Sequence, residues 1–152
     1  MSAGRLHAFL AGTGHDGAGR TLRQILAFDD AQIEGIHDFV QWCFPLHSLS
    51  AAVPGTPVLT GIEAEAIRSD PAALSGLRAA LGRMTRFYAE TEGWLRAHDH
   101  NHLRITRILS AVRDLIGTGT ATEFHAFVAA RNRAAGAPVN EDSLRYWADA
   151  LR

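Results

Sequence analysis

Three histidines, His98, His100 and His102, occupy every second position in the stretch "AHDHNHLRITRIL" (residues 97–109), and Arg104 and Arg107 follow directly. In an extended chain, side chains at i, i+2 and i+4 point the same way, and three imidazoles so placed can share a zinc or nickel ion. If instead a helix starts near Asn101, His102 turns away from the other two, and Asp99 and Asn101 are both good capping residues. Arg104 and Arg107 then fall in the first turns, where unsatisfied backbone N–H groups and the helix dipole favour an anion. Something negative must answer them. An internal carboxylate such as Asp38 or Glu34 is the first reading, a ligand carboxylate or phosphate the second, and a bound metal the third. Neither a metal nor a cofactor is assigned.

Other stretches carry weaker signals. "GTGHDG" (12–17) has the spacing G-x-G-x-x-G, but a dinucleotide site also requires a preceding strand and a βαβ unit. The expected reading is a turn in which Asp16 or Thr21 caps the next helix. "EGIH" places Glu34 and His37 on one helical face, as half of a two-metal bundle site would, and no second such pair exists. Cys43, between Trp42 and Phe44, reads as a buried thiol rather than a nucleophile. The sequence displays no set of nucleophile, base and orienting group.

The elements that must position these residues are helical. In "DAQIEGIHDFVQWCF", Ile33, Ile36, Val40 and Phe44 repeat at helical spacing up to Pro45, which predicts one helix from the cap at Asp29 or Asp30. "TLRQILAF" precedes it as a short helix, and "PLHSLSAAVPGTPVL" follows as a loop. Thr60 caps "GIEAEAIRSD", with Glu63 placed for a capping box. Asp70 and Pro71 mark the clearest helix start, and Leu74, Leu77, Leu81, Met84 and Tyr88 carry that helix to about residue 91. A helix from about His102 to Ile116 ends at Gly117. "TATEFHAFVAARNRAAG" and "NEDSLRYWADALR" supply two more. No segment alternates like a strand, so the expected fold is all-α, a compact bundle of six or seven helices in a single domain over residues 1–152.

Composition narrows the function classes. The chain has 152 residues and a net charge of -1 with scattered charges, which argues against nucleic-acid binding. All 15 basic residues are arginine, a codon bias expected of a GC-rich bacterial genome. A single cysteine rules out an internal disulfide and fits a reducing compartment. No stretch reads as a signal segment or membrane span, so a cytoplasmic protein without membrane partners is expected.

"HDFVQWCFPL" (37–46), "TPVLT" (56–60) and "HDHNHLRITRIL" (98–109), in that order, resemble the conserved region of the opioid growth factor receptor family. The resemblance extends more loosely from about Phe9 to Phe127. Glu34, His37, Gln41, Trp42, Phe44, Pro45, His98, His100, Asn101, Arg104 and Arg107 sit on the family pattern. Cys43 stands where the family has leucine, Phe39 where it has tyrosine, and His102 where it often has another residue. The resemblance implies a small all-α binding module. Family members in vertebrates are named as receptors for an enkephalin pentapeptide, which a bacterial chain has no evident reason to meet.

A peptide ligand would need Glu34 or Asp38 for its amine and an aromatic pocket such as Trp42, Phe44, Tyr88 and Trp94. Its carboxylate would need Arg104 or Arg107. The expected ligand site is therefore His98, His100, Asn101, Arg104 and Arg107, with Glu34, His37 and Trp42 from the preceding segment, taking a small anion or a peptide. The competing class is an enzyme using His37 or His100 as acid or base on an anionic substrate. A third reading, a helix-docking interaction protein, would expose an apolar patch around Trp94 or Trp147. The sequence is silent on oligomeric state.

Overall fold

The computed structural model describes residues 4–48, 53 and 55–152. Among the described residues all regular structure is α-helical, as the periodicity predicts, and no helix is long and apolar enough to cross a membrane. The 45–59 loop is extended or bent where it is described; residues 49–52 and 54 lie outside. Two compact units divide the chain, residues 1–83 and 84–152, and the division falls inside one long helix.

The first unit contains α1 (Arg5–Ala11), α2 (Leu22–Leu26), α3 (Asp30–Gly35), α4 (Val40–Cys43), α5 (Gly61–Arg68) and the first part of α6 (Pro71–Glu90). Thr21 and Asp29 start α2 and α3 with full capping boxes, each completed by a glutamine at the third helical position. α1 packs on α4 and α5, and the T-shaped pair Phe9–Trp42, with ring centroids 5.8 Å apart, joins α1 to α4. α6 comes so close to α1 at Gly76 that a Cβ there would lie 1.9 Å from the Leu10 carbonyl oxygen. Only glycine fits that contact.

Two expectations are corrected in this unit. The single helix predicted over 30–44 is broken: Ile36 adopts extended geometry (φ -98°, ψ 123°) after Gly35, and α4 begins anew at Val40. Gly35 and the β-branched Ile36 are weak helix formers, and leaving the helix lets Asp38 accept from Arg20 Nη2 at 2.6 Å. Splitting this segment is one reason the described residues form nine helices where six or seven are expected. The second correction concerns Glu63. Thr60 caps α5 through the Glu63 N–H, but the Glu63 carboxylate accepts from the backbone N–H of His7 (3.0 Å) instead of closing a capping box. A tertiary donor is a stronger claim on this buried carboxylate than a local one.

The second unit contains the end of α6, then α7 (Asn101–Leu115), α8 (Thr118–Ala134) and α9 (Glu141–Asp149). α7 is its spine: Ile105, Ile108, Leu109, Ala111, Val112 and Leu115 are buried, and α8 and α9 pack against it. Each such large apolar side chain contributes about 1.5–3 kcal/mol when fully buried. Gly117, at φ +145°, turns α7 directly into α8. At the end of α6, Arg131 donates to the carbonyls of Tyr88 (3.2 Å) and Thr91 (3.0 Å), oxygens that no helical N–H reaches. Trp94 and Trp147 are fully buried, and their indole N–H groups donate to Thr91 O and His102 O. Both tryptophans are core residues of this unit, while Tyr146 beside Trp147 is 51% exposed.

Candidate functional site

α7 begins at Asn101, so the histidine run straddles a helix start rather than lying in one extended segment. Asp99 caps it from one residue further out: its Oδ1 accepts from the backbone N–H and the side-chain amide of Asn101, both at 2.9 Å. Its Oδ2 accepts from Arg96 Nε (3.0 Å) and Nη2 (2.8 Å). Burial alone would raise this carboxyl, but the bonds from Asn101, with His100 and Arg96 nearby, hold it below the usual carboxylate range. Its side chain is 2% exposed while that of Arg96 is 66% exposed. The acid is enclosed, and the base stands in water.

An open groove of about 540 Å³ lies over this helix start, lined by Arg96, His98, Asp99, His100, His102, Leu103, Asn140 and Ser143. All eight belong to the second unit. His98 and His100 are exposed, Leu103 is 71% exposed, and His102 is buried to 3%. The three imidazoles line one groove without bringing their ring nitrogens within the span of a shared ion. Helical geometry at His102 is the reason: it points that ring inward, where Nε2 donates to the Trp94 carbonyl at 2.8 Å and the ring edge meets Trp147.

The second wall comes from the start of α9. Asn140 is the N-cap, its Oδ1 accepting from Ser143 N–H at 2.8 Å, while its Nδ2 donates to Ala97 O (2.6 Å) and Ser143 Oγ (2.9 Å). This amide thereby pins the 97–99 segment to α9. Ser143 Oγ lies 3.4 Å from His102 Nδ1.

The other expected site residues are not among those lining the groove. Asn101 is fully buried beneath the groove and accepts from the Tyr88 hydroxyl at 3.1 Å. Arg104 is buried on the inner side of α7. Loss of hydration pushes Arg107 down to about 10, which leaves it cationic at neutral pH. Neither arginine lines the groove.

Glu34, His37 and Trp42 belong to the first unit. Glu34 ends in α3 and His37 lies beyond it, so "EGIH" is not one helical face; the break at Ile36 removes the shared face. Trp42 and Phe44 are core residues there, and Tyr88 and Trp94 are core residues of the second unit, all at most 2% exposed. None of the four offers a ligand an open aromatic face. In "GTGHDG", Asp16 does not cap α2; its carboxylate accepts from the N–H groups of Ala18 (3.0 Å) and Arg20 (2.8 Å) and from Arg20 Nε (2.8 Å), and Thr21 does the capping. Cys43 is buried, and desolvation first, with Asp16 second, pushes its thiol far up.

Arg96, Leu103, Asn140 and Ser143 were not singled out from the sequence. Arg96 adjoins the histidine run and had a visible signal, a cation two residues before His98; Ser143 lies 41 residues from His102 and had none. Comparisons of the chain with family models, curated proteins and solved structures returned no match.

Proposed function

We propose that this chain is an opioid growth factor receptor-like helical domain of the cytoplasm, and that it acts as a binding module. Its groove at the start of α7 takes a small anion or the carboxylate end of a peptide. The resemblance in "HDHNHLRITRIL" supports this reading because that segment supplies most of the groove. The observation that carries it is the pairing of an exposed Arg96 with an enclosed Asp99. The carboxylate fixes the guanidinium fork by two bonds to one oxygen, and most of the guanidinium remains open to an anion from solvent.

Around it, the exposed His98 and His100 offer ring N–H groups to the same anion. Against it stand Glu141 and Asp142 in the first turn of α9, the latter engaged by Arg145 at 2.8 Å.

The test is calorimetric titration with a tetra-alanine peptide carrying a free C-terminal carboxylate, and with the same peptide amidated. The free acid is expected to bind and the amide to bind far less. Arg96→Ala should weaken the free acid about tenfold, roughly 1.4 kcal/mol. Equal affinity of acid and amide, or of wild type and Arg96→Ala, refutes the reading.

A further inference from the structure

Ser143, His102 and the main-chain carbonyl of Trp94 stand in line. A carbonyl oxygen can only accept, so the His102 Nε2 that lies 2.8 Å from it carries the ring proton, and Nδ1 presents a lone pair. That lone pair faces Ser143 Oγ at 3.4 Å. Oγ in turn accepts from Asn140 Nδ2 at 2.9 Å, which leaves its own proton to point at Nδ1. The imidazole cannot swing away, because Trp147 packs on its edge with ring centroids 5.9 Å apart and donates to the His102 carbonyl. Both Ser143 and His102 line the open groove. A hydroxyl, a base within reach of it and a third group that fixes the base are the parts of an activated nucleophile, whose hydrogen bonds commonly run long without substrate.

We infer that Ser143 is a nucleophile and that this groove hydrolyses small carboxylic esters. Oγ attacks the ester carbonyl carbon as its proton passes to His102 Nδ1. The C–O bond to the alcohol then breaks, and the departing oxygen takes that proton. Water attacks the acyl-serine, giving a proton to Nδ1; the carboxylic acid leaves as the Ser143 oxygen recovers it. Arg96, the one permanent cation among the lining residues, is the charge available to the oxyanion, and the exposed Leu103 offers an apolar surface for the acyl chain. The inference rests on the proposed groove admitting a ligand, but not on its preference for anions.

The full chain is treated with a fluorophosphonate reagent and analysed by intact mass and peptide mapping, and p-nitrophenyl acetate hydrolysis is followed in parallel. One adduct on Ser143 is expected, together with hydrolysis of the ester. Ser143→Ala should abolish both, and His102→Gln should slow both about 100-fold. Should His102→Gln not fold, Ser143→Cys replaces it. Iodoacetamide at pH 6 should then alkylate the introduced thiol at least tenfold faster than glutathione, since an adjacent imidazole favours the thiolate.

No adduct, an adduct elsewhere, undiminished hydrolysis in Ser143→Ala, or an introduced thiol no faster than glutathione overturns the inference. Peptide binding without the adduct removes ester hydrolysis alone. The adduct without discrimination between free acid and amide removes only the anion-binding reading.

Discussion

Replacing Gly76 and Gly82 by alanine, one at a time, should move stability in opposite directions, although both glycines lie inside α6 of the first unit. In a helix interior alanine is favoured over glycine by about 0.8–1.0 kcal/mol. At Gly82 a Cβ meets nothing within 4 Å, so Gly82→Ala should realise that gain. At Gly76 the same atom would lie 1.9 Å from Leu10 O and 2.9 Å from Leu22 Cδ2. A leucine side chain can rotate aside, but the carbonyl belongs to the α1 backbone and moves only if α1 moves.

Ordinary contact begins near 3.4 Å, so α1 would have to retreat by about 1.5 Å. Overpacking of this kind costs about 1–3 kcal/mol, which exceeds the propensity gain. The propensity gain is common to both, so the two variants should differ by the overpacking cost, about 1–3 kcal/mol, or about 2–12 °C in Tm at the 2–4 °C per kcal/mol of a chain this size. Urea unfolding followed by circular dichroism gives both midpoints. If Gly76→Ala proves as stable as Gly82→Ala, the close approach of α1 to α6 is wrong, and with it the packing of the first unit.

Two further outcomes follow from titrating groups. Cys43, buried and with its thiol pushed up by desolvation, should be inert to a thiol-reactive disulfide reagent in the native protein and react once in guanidinium; rapid native labelling refutes its burial. Asp99 has a folded-state pKa below its unfolded value, so its contribution is complete above about pH 4, the unfolded range, and is lost as pH falls through the folded value. Asp99→Asn should therefore be less stable than wild type at pH 7 and converge on it as the pH falls below the ordinary carboxylate range, read from urea midpoints. A gap that stays constant with pH would mean that the carboxylate's charge contributes nothing there.

What the sequence determined by itself was local. Asp70–Pro71 starts α6, Gly117 stops α7, and the 3.6-residue repeat in "LRITRILSAVRDL" selects the buried face of α7, because caps, proline and apolar spacing act within a turn or two of backbone. The beginning of α7 at Asn101 was legible in the same way. It decided that His102 turns inward, which dissolves the shared-ion arrangement of three imidazoles.

Where local preference met a distant partner, tertiary structure decided. Glu63 left its capping box for the His7 N–H, and the apolar repeat over 30–44 gave way at Ile36. Which cation lines the groove was equally undetermined, since Arg96, Arg104 and Arg107 are chemically alike in sequence; the packing of α7 buries Arg104, while Arg96, on the segment before that helix, is left in water. The contact of Ser143 with His102 exists only because α9 returns along α7 and Asn140 fastens that return to Ala97. No periodicity or cap encodes a contact between residues 41 positions apart. It arises from closing the chain on itself, a matter of packing the whole unit rather than of any one stretch within it.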